Sequence, residues 1–254
     1  MDYDYSSSEL MAAAGARELQ DHEVVAVGLG LPVVASFLAR QTHAPNMTML
    51  FELGVIDPEP VDCGVGLADP RVWYRAKALS NFVDILGAIL HKGRVDVGFL
   101  GGLEVDQFGN LNTSLLGDPR GKFRHMIGSG GANDIASCAK RTIIIMRHEE
   151  RKLRKTISFI TSPGFMDGGD SRQKIGLLGG PSRVITDKAI FGFHPETKQM
   201  MLVSIHPGNT LEDVLGTMGF APVVPQQVPF TEPPAEEQLR LIREVIDPQR
   251  MYMG

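Results

Sequence analysis

Three short apolar runs, each leading into a glycine turn, constrain this chain most. Glu23-Val24-Val25-Ala26-Val27 enters Gly28-Leu29-Gly30-Leu31-Pro32, residues 47–51 enter Glu52-Leu53-Gly54, and residues 95–100 enter Gly101-Gly102. Short runs of this length in which apolar residues predominate suit parallel strands covered on both faces. Between the first two lies VVASFLARQT, helical in its apolar spacing, with Pro32 suited to a first turn. Between the second and third, Ser80 or Asn81 caps a segment whose Val83, Leu86, Ile89 and Leu90 form one apolar face, and Gly93 suits its C-terminus. Strand alternating with helix predicts an α/β fold: an open, largely parallel, doubly wound sheet with flanking helices.

The remaining segments decorate that plan. Ser6-x-x-Glu9 reads as a capping box opening a first helix through SELMAAAGARELQ. Residues 55–80, rich in Pro, Gly and Asp, have loop composition. In the C-terminal half, residues 111–115 are extended, and 142–146 and 157–161 are strands. FGFH and QMMLVSI, separated by Pro195-Glu196-Thr197-Lys198, form an antiparallel hairpin. Thr210-x-x-Asp213 caps a short helix, PVVPQQVPFTEPP is a connector, and residues 235–246 make a final amphipathic helix. No repeat or long linker divides the chain, so residues 1–254 are expected to form a single domain.

Composition removes several classes of function. With 43% hydrophobic residues the chain is too apolar to be disordered. No apolar run approaches the roughly 20 residues of a membrane span, and MDYDYSSSE is no signal peptide. A soluble, cytoplasmic protein is expected. The net charge of −5 argues against nucleic acid, whose partners carry a basic face. The densest basic stretch, residues 147–155, is interrupted by Glu149 and Glu150 and reads as a solvated face, with an anionic ligand or a partner subunit as the alternatives. Two cysteines, Cys63 and Cys138, make neither a disulfide framework nor a zinc site. The seven histidines, His22, His43, His91, His125, His148, His194 and His206, lack metal spacing. Met200-Met201-Leu202 suits sheet core, and Trp73 either covers a ligand or packs an interface.

The chemistry centres on the glycine turns. Gly28/Gly30, Gly101/Gly102 and Gly128/Gly130/Gly131 follow strands or lie in loops where a backbone can approach a ligand closely. Gly28 and Gly30 resemble half a dinucleotide fingerprint, with Glu52 lying 22 residues beyond Gly30. Val33 occupies the third glycine position, which disfavours a nicotinamide cofactor. Glu52 itself follows Met49-Leu50-Phe51, and a carboxylate there is costly to bury unless it is paired or used.

Several segments together resemble the B subunits of the class I CoA-transferases, of the glutaconate CoA-transferase type. They include VVAVGLGLPVVAS, HAPNMTMLFELGVID, FLGGLEVDQFGNLNTSLLGD, GSGGANDIAS, FITSPGFMDG and EDVLGTMGF; GGLEVDQFGNLN and GSGGAND are the most specific. The resemblance implies that Glu52 is the nucleophile of a ping-pong reaction passing through a glutamyl-CoA thioester. It implies backbone oxyanion donors at Gly28 and Gly131, with Gly30 and Gly130 shaping the loops. It also implies coenzyme A as substrate with no metal or organic cofactor, and an A subunit completing an A2B2 or A4B4 hetero-oligomer. The acidic–small–glycine triplet of the family stands here as Glu52-Leu53-Gly54. Relatives that decarboxylate or hydrolyse CoA-linked substrates have lost the glutamate, so its retention favours transfer. A thioester hydrolase, a decarboxylase and a non-catalytic CoA-binding subunit are the alternatives.

Overall fold

The computed structural model describes residues 4–253. The chain forms two compact units, one from Met1–Phe99 and Glu232–Gly254, the other from Leu100–Thr231.

In the first unit, Ser6 opens helix α1 (Ser7–Arg17) with the expected reciprocal cap. Glu9 N–H donates to Ser6 Oγ at 3.2 Å, and Ser6 N–H donates to Glu9 Oε2 at 2.7 Å. The helix ends three residues before the predicted limit. Its LMAAAGA stretch is buried all round, because small side chains let it lie close against helix α2 (Leu31–Gln41), which is buried from Pro32 to Ala39. Strands β1 (Val24–Ala26) and β2 (Thr48–Phe51) pair in parallel, with Ala26 opposite Leu50.

The expectation confined antiparallel additions to the C-terminal half, and the structure corrects it. Within the predicted loop, β3 (Val55–Ile56) adds antiparallel to β2, and β4 (Ala78–Leu79) adds antiparallel to β3. Asp57, almost fully buried, closes that loop by pairing with Arg40 of α2 at 2.6 Å and with Lys77. Strand β5 (Val97–Leu100) returns to pair in parallel with β1.

The predicted helix after Asn81 is present but wound differently. Asn81 Oδ1 caps Asp84 N–H as expected. Asp84–Leu90 then takes π-type turns, with His91 N–H bonded to Leu86 O and Arg94 N–H to Ile89 O. The wider turn carries Ile85 and Leu90 inward and leaves Val83 exposed, so Val83 drops out of the predicted face. The final helix likewise runs α-helically over Glu236–Arg240 and π-helically over Leu241–Ile246. It packs on α2, and Arg243 Nε lies 2.7 Å from Glu9 Oε1 of α1.

The second unit opens with two antiparallel ladders that the sequence reading did not separate. These are β6 (Glu104–Val105) with β7 (Leu111–Asn112), and β8 (Leu115–Gly117) with β9 (Phe123–His125). Helix α3 (Ala132–Cys138) leads to β10 (Arg141–Ile145), which pairs in parallel with β11 (Pro181–Ile185). Strands β12 (Ala189–Phe193) and β13 (Met200–Ile205) continue antiparallel, the predicted hairpin. Of the expected core residues Met200, Met201 and Leu202, the first and last are buried, while Met201 alternates to the other face and is only half-buried, and Thr210 caps Leu211–Leu215 through Asp213. The α/β class therefore holds, as parallel strands with antiparallel additions in both halves.

Residues 157–161 are not a strand. Ser158 N–H donates to a side chain, Glu104 Oε2 at 3.0 Å, while Thr161 and Ser162 N–H groups share Leu111 O. The segment is fixed by this point attachment instead of a ladder.

Candidate active site

Glu52 occupies the first position of a three-residue turn joining β2 to β3. Phe51 pairs with Val55, and Gly54 N–H donates to Phe51 O at 3.0 Å. The turn is rigid because its last residue must be glycine. Gly54 has φ +112°, and a Cβ there would lie 2.4 Å from Ser80 O, whose own N–H bonds Gly54 O at 2.8 Å. Met49, Leu50 and Phe51 root the turn in the core, while Glu52 is half-buried and Leu53 is exposed.

Gly28 stands beside it. Val27 N–H donates to Leu50 O, so Gly28 and Glu52 each lie two residues past the Ala26–Leu50 pair on neighbouring parallel strands. That is the carboxyl edge, where ligands meet open α/β sheets. A Cβ at Gly28 would sit 3.2 Å from Phe99 O. Gly30, at φ +89°, is the N-cap of α2, and Val33 N–H bonds its carbonyl at 3.0 Å. The predicted Gly28, Gly30 and Glu52 thus share one strand edge of the first unit.

Gly130 and Gly131 belong to the second unit. Gly128 and Gly130 take φ +86° and +50°, and Gly131 is the N-cap of α3. Their loop is tied down at both sides, by Gly128 N–H to Thr113 O at 3.0 Å and by Asn133 Nδ2 to Thr161 O at 2.6 Å.

In the GGLEVDQFGNLN motif, the polar side chains of Glu104, Asp106, Asn110 and Asn112 are buried and bonded to one another and to neighbouring loops. Asn112 Nδ2 donates to Glu104 Oε2 at 2.6 Å and to Leu115 O at 2.6 Å, while its Oδ1 accepts the Ser114 and Leu115 N–H groups. Asp106 accepts from Phe108 N–H, Asn110 N–H and Asn110 Nδ2; burial still pushes its carboxyl above the usual range. Asn110 Oδ1 reaches across to Gly164 N–H and Met166 N–H.

Sequence reasoning missed Arg172. It is 2% exposed, and its guanidinium donates to five backbone acceptor contacts on Ala136, Pro163, Gly164 and Leu178, at 2.6–3.2 Å. It joins α3 to the 163–164 loop. No local sequence signal marks a cation whose partners are all carbonyls.

The other candidates resolve as structure. Cys63 is buried, its thiol pushed well above the ordinary range by burial and by Asp247 beside it; burial also raises Cys138. His148 bonds Thr186 Oγ1 and Val214 O, and burial lowers its pKa. His206 bonds Thr231 Oγ1 and Thr186 O, and burial holds it down to about 4. No metal-binding cluster occurs among the described residues. In the basic stretch, Glu149 pairs with Arg151 and Lys152, which favours the solvated face. Trp73 Nε1 donates to Leu67 O and closes its own loop. Among the described residues no helix is long and apolar enough to cross a membrane.

Comparison with known proteins gives the arrangement a family. The sequence model for coenzyme A transferase matches residues 8–216. The chain belongs to the coenzyme A transferase family. It is similar to the B subunit of glutaconate CoA-transferase from Acidaminococcus fermentans, with 36% identity over 98% of this chain and 95% of the relative. It is 38% identical to the B subunit of 3-oxoadipate CoA-transferase from Pseudomonas knackmussii, over 94% of this chain and 92% of the relative. The crystal structure of the A. fermentans glutaconate coenzyme A-transferase matches with a TM-score of 0.92 at 35% identity, covering 100% of this chain and 99% of that one. The chain is a B-type subunit of this transferase family.

Proposed function

We propose that this chain is the nucleophile-bearing subunit of a heteromeric CoA-transferase that exchanges coenzyme A between an acyl-CoA and a dicarboxylic acid. The observation that carries the reading is Glu52, a half-buried carboxylate on a glycine-locked turn at the carboxyl edge of parallel strands. Two similar subunits carry names of different dicarboxylic acids, glutaconate and 3-oxoadipate, which supports the class of acceptor and leaves the acid itself to the pocket.

A Glu52 oxygen attacks the thioester carbonyl, the C–S bond breaks, and a mixed anhydride and CoA thiolate result. The thiolate attacks the glutamyl carbonyl, releasing the first acid as carboxylate and leaving CoA on Glu52 as a thioester. An incoming carboxylate reverses both steps. Splitting one exchange in this way is what nucleophilic catalysis achieves, and it yields ping-pong kinetics. Each tetrahedral intermediate carries an oxyanion, for which the Gly28 and Gly131 backbones, shaped by Gly30 and Gly130, are the proposed donors. Losing one such donor typically costs about 3–4 kcal/mol. The steps use carboxylate, thiolate and backbone N–H alone, so coenzyme A is substrate and no further cofactor takes part. The partner is an A subunit, and the two free thiols suit a reducing cytoplasm.

The test uses the complex co-purified with its partner. Glu52→Gln keeps the shape and removes the nucleophilic oxygen, so exchange falls about 10³-fold or more. Glu52→Asp retracts the carboxylate by one methylene, and a misplacement of about 1 Å costs about 100-fold. Full exchange by a folded Glu52→Gln complex overturns the reading; thioester loss without an acceptor acid points instead to hydrolysis, and carbon dioxide release to decarboxylation.

A further inference from the structure

A small cavity of about 320 Å³ opens in the first unit, between the last turn of α2, the start of β2 and the loop after β3. Phe37 of α2 and Met49 of β2, both buried, close its floor, and Pro45 and Pro60 line its sides. Strands β1 and β2 are parallel, so α2 runs back between them and its last turn lies at the amino edge of the sheet, opposite the edge that carries Glu52. From Gly30 to Arg40 is about 15 Å along the helix axis.

Arg40 lines this cavity with half of its guanidinium committed. Nη1 donates to Asp57 Oδ1 at 2.6 Å and to Pro58 O at 2.9 Å. Nε and Nη2 make no hydrogen bond or ion pair among the described residues, and neither is sealed from solvent. That remaining edge is one that can hold a carboxylate through two parallel N–H···O bonds.

The surrounding charge favours an anion. Asp57 is shared between Arg40 and Lys77, and Glu59, which also lines the cavity, pairs with Arg75 at 3.1 Å. Three cations therefore stand against two carboxylates in a chain that is acidic as a whole. The last carbonyls of α2, whose dipole would repel an anion, are already answered. Leu38 O accepts from Thr42 Oγ1 at 2.7 Å, and Ala39 O accepts Ala44 N–H at 2.8 Å.

We propose that this cavity binds a small monocarboxylate with an apolar body, its carboxylate on the open Nε–Nη2 edge of Arg40 and its hydrocarbon against Phe37, Met49, Pro45 and Pro60. The volume stands at the low end of ligand sites, roughly 300–1,000 Å³, which suits a molecule of the size of hexanoate. A dicarboxylate would carry its second charge against the buried Phe37 and Met49, at a desolvation cost that nothing there offsets. The ligand thus differs from the acids proposed as substrates at Glu52, and the proposal stands whether or not the chain transfers coenzyme A.

The test is calorimetric titration of hexanoate into the complex with its partner subunit, with no acyl-CoA present. Hexanoate binds once per chain, while hexanamide, which lacks the charge, and acetate, which lacks the apolar body, bind about tenfold more weakly or worse. Arg40→Lys keeps a cation for Asp57 and removes the forked edge. Gln41→Trp, at an exposed position on the rim, sets a ring over the opening and leaves the Arg40–Asp57 pair in place. Each substitution weakens hexanoate about tenfold, and the second keeps the test valid if the first folds poorly. No binding of hexanoate, equal binding of hexanamide, or an affinity unchanged in Gln41→Trp or in folded Arg40→Lys overturns the proposal. Binding that Glu52→Gln abolishes belongs to the candidate active site, and loss of the partner subunit from Gln41→Trp makes the cavity a subunit contact; either result overturns it too.

Discussion

Arg172 shows how much one side chain can hold without a counter-ion. A buried cation is costly, and here only carbonyl dipoles offset the loss of water; burial lowers its pKa. Replacing it leaves the carbonyls of Ala136, Pro163, Gly164 and Leu178 short of donors in the interior. Arg172→Met is therefore expected to destabilise the protein by about 3 kcal/mol or more, since each orphaned buried group costs about 1–3 kcal/mol. Denaturant unfolding of variant and parent measures this, and a change below about 1 kcal/mol contradicts the role. Glu52 and Arg172 mark the limits of reading residues from sequence. An acid directly after Met49-Leu50-Phe51 breaks an apolar pattern and draws notice. An arginine in Ser171-Arg172-Gln173-Lys174 looks like any exposed helical turn, because its partners are backbone atoms 6 to 36 residues away.

The element that places Glu52, the proposed nucleophile, is the β2–β3 turn, and its weakest point is Gly54. Alanine at φ +112° is strained, and its Cβ would meet Ser80 O at 2.4 Å, so the turn or β4 has to move. Gly54→Ala is expected to cost about 2 kcal/mol and to depress transfer with Glu52 still present. Normal transfer and stability in that variant would show that the turn is not the positioning device. Elements with a strong local signature were legible: both capping boxes, the apolar β1 and β2, and the β12–β13 hairpin. Those whose pairing is set at a distance were not. Strands β3 and β4 are two residues each, separated by 21 residues of loop composition, and the Asp57 contacts with Arg40 and Lys77 close that loop. The π-type turns after Asn81 keep helical spacing in sequence, so only the hydrogen bonds reveal them.

Across the whole molecule, acid sensitivity has an identifiable source. His206 titrates near 4 when folded against an ordinary 6.5, because burial disfavours its cation. Between those values the unfolded chain takes up a proton that the folded chain refuses. Stability is thus fully present above about pH 6.5 and declines as pH falls towards 4, by up to about 3 kcal/mol from this group. His148 acts in the same direction. His206→Gln is expected to flatten the dependence of unfolding free energy on pH between 6.5 and 4.5, and an unaltered slope would assign the acid sensitivity to other groups. At this scale the sequence carried the α/β class and the family resemblance, since both rest on segments spread along the chain. It could not show that Asn110 and Asn112 of the GGLEVDQFGNLN motif are buried and hold other loops, because their partners Gly164, Met166 and Thr161 lie far along the chain. The proposed transfer stands on a covalent bond to Glu52. Intact-mass spectrometry of the complex incubated with acyl-CoA should show this chain heavier by coenzyme A less one water, mapped to Glu52, and the gain should vanish when a dicarboxylic acid is added. A complex that exchanges CoA while this chain stays unmodified at Glu52 would contradict it.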